Sequence, residues 1–402
     1  MLQRNRRIVQ LPAAARWRPA RAPATVAAGP HGPLGVLEVE RKLRIAINTG
    51  GGDAPGLNAV IHAVTLSAVR RGWEVYGIPT GYAGLLEPDR IVPLTPERVA
   101  GIVPLGGTIL GTTNRGDPFR YPVRDADGRV TFQDLSDRVA QNFRRLGLDV
   151  LVAVGGDGSL EIAHKLSAKG VPAVGVPKTI DNDLSSTLAT FGFDTAVTTA
   201  TEAIDKLHST AAAHERVFVV EVMGRYAGWI ALHSGAAGQA DAILLPEIPF
   251  DLDRVAARIQ ENERRGKHYA IVVAAEGARA VGGEMVTRPS TSIGRTEVQL
   301  GGVGEWVATE LARRTEKETR SLVLGHLQRG GAPTAHDRLL ALRFGAAAVR
   351  FVAEGLRNVM VALRPPEMVP VPLAEVVRRT KTVPLDSDAI ATCRDVGISF
   401  GD

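Results

Sequence analysis

The segment Val174–Leu184 reads VGVPKTIDNDL, an apolar run that passes into a polar loop. The apolar run predicts a short buried strand, and open α/β sheets carry their reactive groups in loops at the carboxyl ends of such strands. Asp181 and Asp183 lie in this loop, where one carboxylate can accept a proton while the other holds or positions a metal ion. Lys178 and Thr179 add a cation and a hydroxyl beside them. Taken alone, the loop is equally consistent with an Asx-type turn, because Asn and Asp are common turn formers.

Two glycine-rich loops precede this segment, and a helical pattern follows each of them. The first, TGGGDAPGLN at Thr49–Asn58, comes after a strand predicted at Leu43–Asn48. The second, GGDGSL at Gly155–Leu160, comes after a strand predicted at Asp149–Val154. A strand, a glycine-rich turn and a helix together suit phosphate binding, because backbone N–H groups and the helix dipole face the anion. Asp157 in the second loop is suited to face a phosphate-bound Mg²⁺.

The first loop fits neither of the two best-known phosphate-binding patterns. Gly51 and Gly56 have the Walker A spacing, but Leu57 and Asn58 stand where that pattern needs Lys and Ser or Thr. Pro55 takes the place of the third glycine of the Rossmann pattern. A turn that only packs a helix on a strand is therefore the second interpretation of this loop.

Length and composition bound the class of protein. The 402 residues suffice for two domains, and 45% hydrophobic with 23% charged residues is typical of a globular protein without a membrane span. Residues 1–37 hold six arginines and no acid, so the net charge of +5 comes from this segment and the rest is near neutral. A near-neutral body argues against nucleic-acid binding.

Residues 1–40 are expected to be a disordered extension. The single cysteine, Cys393, excludes an intramolecular disulfide and favours a cytoplasmic protein.

Strand and helix patterns alternate along most of the chain, which predicts parallel sheets with helices on both faces. Charged residues stand at the ends of several predicted strands: Arg216, Arg225, Glu276, Arg320, His326 and Arg329. Each of them taken alone is more often a solvated charge. Four arginines at such edges favour a phosphorylated substrate, because the guanidinium fork matches phosphate.

Five motifs in this order, GGDAPGLN, GGDGS, PKTIDNDL, EVMGRYAG and GHLQRGG, resemble those of the 6-phosphofructokinase family. The resemblance runs from about Leu43 to about Arg378. It implies two doubly wound α/β domains with mostly parallel sheets and the active site in the cleft between them. Residues 41–192 with about 328–378 are expected to bind the donor, residues 193–327 the sugar phosphate, and residues 379–402 to form a tail. The implied reaction is phosphoryl transfer to O1 of fructose 6-phosphate, giving fructose 1,6-bisphosphate.

The same resemblance implies roles for the donor side and the reacting groups. Asp181 matches the general base, and Asp157 matches the Mg²⁺-associated aspartate with Asp183 in support. The catalytic set is completed by Thr179 and Arg225. The residues expected to line the donor phosphates are Gly52, Gly156, Gly158 and Ser159. The nucleotide-side arginine that follows GGTILG in the family is out of register here, and its nearest candidate is Arg115.

The sugar side is carried over in the same way. The residues implied around the sugar and the transferred group are Thr179, Asp181, Met223, Gly224, Arg225 and Glu276. His326 and Arg329 match residues that hold the 6-phosphate. Arg216 and Arg320 match arginines that reach this phosphate from a neighbouring subunit, so a homodimer or homotetramer is expected. The insertion at about Ala278–Gly301 is longer than in short bacterial enzymes.

The phosphoryl donor depends on two positions. Pyrophosphate users of the family typically carry aspartate where this chain has Gly158, and an aspartate there opposes the α-phosphate of a nucleotide. Lys178 points the other way, because pyrophosphate users share that lysine. Gly158 decides for ATP, with pyrophosphate as the second candidate. Two further hypotheses stay open: a non-catalytic regulatory subunit of the same fold, and an NAD- or lipid-kinase-like protein that uses only the GGDG loop.

Overall fold

The computed structural model describes residues 42–124, 127, 129–288, 299–377 and 379–402. The extension expected at residues 1–40 and the central part of the insertion lie outside the described residues. In chain order, the described strands are β1 (Arg44–Thr49), β2 (Glu74–Ile78), β3 (Val92–Leu94), β4 (Tyr121–Arg124), β5 (Val130–Gln133), β6 (Val150–Gly155), β7 (Ala173–Pro177), β8 (Val217–Val222), β9 (Ala242–Leu244), β10 (Ala270–Ala275), β11 (Thr287–Arg288), β12 (Gln299–Leu300), β13 (Thr319–Val323), β14 (Val359–Arg364) and β15 (Glu367–Pro372).

The α-helices alternate with these strands as the sequence pattern predicts. In the described residues they are α1 (Leu57–Val69), α2 (Ser136–Arg145), α3 (Asp157–Ser167), α4 (Phe193–His214), α5 (Trp229–Ala237), α6 (Leu252–Arg264), α7 (Val303–Thr315), α8 (Ala335–Ala353), α9 (Leu373–Val376) and α10 (Asp388–Asp395). Shorter 3₁₀ helices cover Gly81–Leu86, Pro88–Arg90, Pro118–Arg120 and Gly325–Arg329. None of the helices in these described ranges is both long and apolar enough to cross a membrane.

Two mostly parallel sheets organise the fold. The first has the strand order β15-β14-β7-β6-β1-β2-β3, with antiparallel pairing only at its outer strands β15 and β3. The second has the order β13-β8-β10-β9, and its strands are all parallel. The predicted fold class of two doubly wound sheets is therefore confirmed.

Helices cover both faces of each sheet. Successive residues of a strand therefore pack in different hydrophobic clusters. In β6, Val152 packs in a cluster with α1 and α8, whereas Leu151 packs in a cluster with α2 and α3. In β10 of the second sheet, Ile271 packs with α4 and α5, whereas Val272 packs with α6 and α7. This alternation is the packing expected of strands buried on both faces.

The C-terminal residues are part of the second sheet's packing. Cys393 of α10 and Phe400 are buried in the cluster that contains α4 and α5. The Ile243 N–H of β9 donates to the Ser399 backbone oxygen at 2.8 Å. Residues 379–402, expected as a tail, thus cover one face of this sheet.

Two local predictions from the sequence are wrong. The run SLVLGHLQRGG at Ser321–Gly331 predicts a strand, but β13 ends at Val323 and Gly325–Arg329 forms a 3₁₀ helix, with Gly325 at a positive φ of 48°. Asp194 and Thr195 are residue types that predict a cap at the start of α4, but this helix is preceded by Gly192 at φ 94° and has no side-chain cap. Asp194 instead accepts from Thr334 Oγ1 at 2.6 Å, and Thr195 donates to Asp337.

Candidate active site

A cavity of about 610 Å³ opens at the carboxyl ends of strands from both sheets. Its walls are loops that follow β1, β6 and β7 in the first sheet and β8 and β10 in the second. Parallel sheets bind their ligands at this edge, where several loops converge. We therefore take this cavity as the candidate active site.

The loops after β1 and β6 meet at Ser159. A Cβ on Gly50 would lie 2.7 Å from Ser159 Oγ, and one on Gly155 would lie 2.3 Å from Ser159 Cβ. The approach of the first loop to Ser159 therefore requires glycine at position 50, and the tight turn from β6 into α3 requires glycine at position 155. Tyr82 also holds Ser159 in place, since the Tyr82 hydroxyl donates to the Ser159 backbone oxygen at 2.6 Å.

The N-terminus of α3 borders the cavity. Gly156 is its N-cap residue and makes no side-chain cap, and the first turn carries Asp157, Gly158 and Ser159 on the cavity wall. Asp157 Oδ1 accepts the Gly158 N–H at 2.7 Å. A Cβ added at Gly158 would have no neighbour within 4 Å. A helix start of this kind presents N–H groups and a positive dipole end to an anion.

The two aspartates of the loop after β7 have raised pKa values. Asp181 Oδ1 is buried and has no hydrogen-bond partner among the described residues. Burial raises the pKa of Asp181 to about 6, although Arg329 opposes the shift. Burial raises the pKa of Asp183 to about 7, and repulsion from Asp181 and Asp157 adds to it. An unpaired carboxylate with a raised pKa beside a cavity is suited to accept a proton near neutral pH.

Two cations lie against the first glycine-rich loop. Lys178 is buried, and its ammonium donates to the Gly52 backbone oxygen. Burial lowers the pKa of Lys178 to about 8, and repulsion from Arg329 acts in the same direction. Arg329 Nη1 donates to the Asp53 backbone oxygen at 3.1 Å. These cations supply the positive charge that phosphate groups beside the loop require.

The described residues contain no cluster of three or more His, Cys, Asp or Glu side chains that would bind a metal ion by themselves. Mg²⁺ in phosphoryl-transfer sites needs only one or two carboxylates, because substrate phosphates and water complete its shell. Asp157 is exposed on the cavity wall, and its charge influences Asp183. The site thus fits a metal ion that arrives with a phosphate ligand.

Comparison with known proteins decides the family. The family described as Phosphofructokinase matches residues 44–352. The ATP-dependent 6-phosphofructokinase of Chloroflexus aurantiacus is 50% identical over 363 residues, which cover 90% of this chain and 99% of that protein. This chain belongs to the phosphofructokinase family.

Further relatives of this phosphofructokinase family member differ in their named donor. The pyrophosphate–fructose 6-phosphate 1-phosphotransferase of Streptomyces coelicolor is 48% identical over 361 residues, which cover 89% of this chain and all of that protein. The crystal structure of Pichia pastoris phosphofructokinase in the T-state matches with a TM-score of 0.73 at 32% identity. That match covers 90% of this chain but 37% of the yeast chain. The family and the fold predicted from the five motifs are confirmed.

The structure brings most of the predicted phosphofructokinase site residues together on the cavity wall. On the predicted donor side these are Gly52, Asp157, Gly156, Gly158, Ser159 and Lys178. On the predicted sugar side they are Thr179, Asp181, Asp183, Met223, Arg225, Glu276, His326 and Arg329. One cavity therefore holds residues from all five motifs.

Four predicted residues do not line this cavity: Arg115, Gly224, Arg216 and Arg320. Arg115 is exposed one residue after Asn114, which does line the cavity. Gly224 is buried with a φ of 132°. A Cβ there would lie 2.8 Å from the Ala227 backbone oxygen, so the backbone requires glycine at this position.

Arg216 and Arg320 lie together at the edge of the second sheet. Arg216 Nε and Arg320 Nη2 contact the same carboxylate, Glu318, at 2.7 and 2.5 Å. Among the described residues, the strand β13 that carries Arg320 pairs only with β8, and Leu322 and Val323 are exposed on it. The two arginines are thus held side by side on an exposed surface, away from the cavity of their own chain.

Sequence reasoning missed several residues of the cavity wall: Tyr82, Thr112, Asn114, Asp117, Lys165 and Tyr226. It also missed Gly277, where a Cβ would lie 1.9 Å from the Arg225 backbone oxygen. The glycine immediately after Glu276 was the available signal for this close approach. Lys165 was predictable as well, because the helical period places it two turns after Asp157 on α3.

The raised pKa values predict the pH dependence of activity. Arg329, Arg225, Glu276 and Lys178 surround Asp181, and burial outweighs their net attraction for its charge. A base must be unprotonated, so we expect kcat/KM to fall about tenfold per pH unit below about 6. An acid limb near 4, the ordinary range of aspartate, would contradict this environment.

The raised pKa values of Asp181 and Asp183 also determine how the free energy of unfolding changes with pH. Burial favours the protonated form of both aspartates in the folded state, so keeping them ionised costs folding free energy at neutral pH. This cost begins to decrease as the pH falls below about 7 and then 6, and it is fully removed only near about 4, the ordinary pKa range of aspartate. Protonation of these two groups does not unfold the protein, so activity should be lost between about pH 6 and 5 while the far-ultraviolet circular dichroism spectrum stays unchanged.

Proposed function

We propose that this protein transfers a phosphoryl group from Mg²⁺-bound ATP to O1 of fructose 6-phosphate. The observation that carries the proposal is the buried, unpartnered Oδ1 of Asp181 on the wall of a cavity shared by both sheets. The glycine-rich loops and α3 lie on one side of this cavity, and Arg225, Glu276 and His326 lie on the other. The named activities of the Chloroflexus and Streptomyces relatives supply the two substrates.

In the proposed reaction, Asp181 accepts the proton of the sugar 1-hydroxyl. Asp183 carries a second negative charge two residues away, which helps to keep the proton on the pair once it is taken. The transition state of phosphoryl transfer is loose and rich in negative charge, so positioning and cations provide most of the catalysis. Arg329, Arg225 and Lys178 are the cations available to this step, since the charge of each lowers the pKa of Asp181.

The donor phosphates occupy the N-terminus of α3 and the loop Gly50–Gly52. Asp157 would hold Mg²⁺ there, and the ion would neutralise charge on the transferred group. His326 and Arg329 would bind the 6-phosphate. Arg329 also donates to the Asp53 backbone oxygen, so its guanidinium connects the sugar site with the donor loop.

ATP is favoured over pyrophosphate by the space at position 158. A Cβ there meets nothing within 4 Å, so the wall leaves room at this position, and Glu161 and Lys165 of the same helix line the same cavity. The Lys178 ammonium donates a hydrogen bond to the Gly52 backbone oxygen in the donor loop, and this contact is compatible with either donor. Pyrophosphate remains the second candidate, because relatives with both named donors have nearly the same identity to this chain.

A coupled assay of fructose 1,6-bisphosphate formation tests the proposal. Wild-type protein should turn over fructose 6-phosphate faster with Mg²⁺-ATP than with Mg²⁺-pyrophosphate. Faster turnover with pyrophosphate would reverse the donor assignment. Absence of turnover with both donors would favour a non-catalytic regulatory subunit.

We further propose self-association as a homodimer or homotetramer. Arg216 and Arg320 do not line the cavity of their own chain, and they lie beside an edge strand on which Leu322 and Val323 are exposed. A two-fold assembly through this edge would present both arginines to the 6-phosphate in a partner's cavity.

The matching prediction concerns Arg216→Ala. We expect the KM for fructose 6-phosphate to rise about 10- to 100-fold, because a charge-assisted hydrogen bond is worth about 1.5–3 kcal/mol. The KM for ATP should change little. Arg313→Ala is the control, since the Arg313 guanidinium is exposed and forms its ion pair with Glu310 on the surface of α7. An active monomer by light scattering, or an unchanged sugar KM in Arg216→Ala, would contradict the shared site.

A further inference from the structure

The loop Asp181–Leu188, which carries the two aspartates, has a strained backbone and no regular secondary structure of its own. Asn182 and Ser186 have positive φ values of 51° and 68°, in the left-handed region that residues with a side chain seldom adopt. Such conformations persist only where surrounding contacts determine them. The contacts that hold this loop are therefore part of how the site is built.

Lys381 makes many of these contacts from the C-terminal part of the chain. Its ammonium donates to Asn182 Oδ1 at 2.9 Å and to the backbone oxygens of Thr187 and Leu188 at 3.1 and 2.9 Å. Its backbone N–H donates to the Asp183 backbone oxygen at 2.7 Å. The three acceptors of the ammonium lie on different residues, which suits three rotatable N–H donors.

The segment around Lys381 is fixed at its other side to the second sheet. The Lys381 backbone oxygen accepts from Trp229 Nε1 at 2.9 Å, and its ammonium lies 5.7 Å from the centre of that indole ring. Two residues on, the Val383 N–H donates to Glu247 Oε1 at 2.8 Å. The Glu247 carboxylate also accepts the Gly228 N–H at 3.0 Å.

Gly228 is the last residue of the EVMGRYAG motif, which carries Arg225 into the cavity, and Trp229 directly follows it. Lys381–Val383 thus makes hydrogen bonds to the loop of Asp181 and Asp183 on one side and to the end of the loop of Arg225 on the other. The proton acceptor and the arginine come from different sheets, and this segment connects the two loops directly.

We propose that Lys381 is a positioning residue for phosphoryl transfer, because it sets the place of the Asp181 loop relative to the Arg225 loop. The inference rests on the proposed function, and it adds the C-terminal segment to the parts that the reaction needs. Lys381 does not line the cavity. Its effect on the reaction is therefore carried by Asn182, Asp183 and Trp229.

Lys381→Met tests the proposal, because it keeps most of the stem and removes the three N–H donors. We expect kcat to fall about 10- to 100-fold, since a displacement of about 1 Å at a catalytic group costs up to 10² in rate. The KM for ATP should stay within about twofold of wild type, because the ammonium donates to the Asp181 loop rather than to the glycine-rich loops. Amide hydrogen exchange in residues 181–188 should be faster, while strands β6 and β7 remain protected.

Trp229→Phe is the second variant, because it removes only the N–H donor to the Lys381 backbone oxygen. It should show the same selective loss of kcat and the same local exchange, to a smaller extent. It also decides the question if Lys381→Met fails to fold. Thr382→Ala is the matched control: Thr382 is an exposed neighbour in the same segment and should retain wild-type kcat.

Unchanged kcat and unchanged exchange in a folded Lys381→Met variant would overturn the proposal. So would a loss of activity accompanied by faster exchange throughout the molecule, since that result would show a general structural role. Failure of the proposed function is distinguishable. A wild-type protein without phosphotransferase activity would contradict the proposed function, whereas hydrogen exchange in residues 181–188 of Lys381→Met would still decide whether Lys381 holds the loop.

Discussion

Asp181→Asn is expected to lower kcat by about 10²–10⁴-fold, the contribution typical of a positioned general base. The replacement keeps the shape of the side chain and removes its ability to accept the proton of the sugar hydroxyl. Asp181 Oδ1 is buried and lacks a hydrogen-bond partner among the described residues, so the replacement breaks no hydrogen bond of that atom. The KM values for both substrates should change much less than kcat, because the lost interaction belongs to the transition state.

Steady-state kinetics with ATP and fructose 6-phosphate measure this effect. Asp137→Asn is the control, because Asp137 is an exposed aspartate on α2 that pairs with Lys169 on the surface. The Asp181→Asn variant should also lose the acid limb expected near pH 6, since that limb reports the ionisation of Asp181. Equal kcat in wild type and Asp181→Asn would show that another group, or no group, accepts the proton.

Local sequence signals were sufficient for the fold and for the donor loops. The hydrophobic pattern and the turn residues predict valine-rich strands that end in glycine-rich turns. Strand β6, which leads into the GGDGS turn, lies within one residue of the expected bounds. The five motifs also indicate which loops meet, because the carboxyl ends of parallel strands share one edge.

The features of the fold and of the site that the sequence did not predict depend on contacts between residues distant in sequence. Nothing near Lys381 in the sequence indicates that it hydrogen-bonds a loop almost 200 positions earlier. The sequence pattern likewise does not indicate how closely Gly106 approaches the end of the GHLQRGG motif, where a Cβ on Gly106 would lie 2.2 Å from the Gly331 backbone oxygen. Contacts of this kind leave no periodic pattern, so a single sequence does not show them.

Gly158→Asp is expected to lower kcat/KM with ATP by about 100-fold, because like charges brought together in a binding site cost several kcal/mol. The new carboxylate would enter the open space beside the N-terminus of α3, where the proposed nucleotide carries its α-phosphate. The fold should tolerate the change. The position lies in the first turn of a helix, where an acidic side chain interacts favourably with the dipole.

Gly158→Ala is the matched control for this change. It adds a Cβ into the same empty space without charge, so ATP use should stay close to wild type. If the alanine variant were as impaired as the aspartate variant, the added volume rather than the charge would be responsible.

The comparison with Lys178 then separates donor choice from support of the donor loop. Lys178 is buried and donates to the Gly52 backbone oxygen, so Lys178→Gly should reduce use of ATP and of pyrophosphate together. Gly158→Asp should instead reduce ATP use far more than Lys178→Gly does, and it should leave pyrophosphate use little changed, because pyrophosphate has no α-phosphate to meet the new carboxylate. The ratio of the two kcat/KM values is therefore the quantity to measure. A Gly158→Asp variant that keeps its full preference for ATP would show that residue 158 does not select the donor.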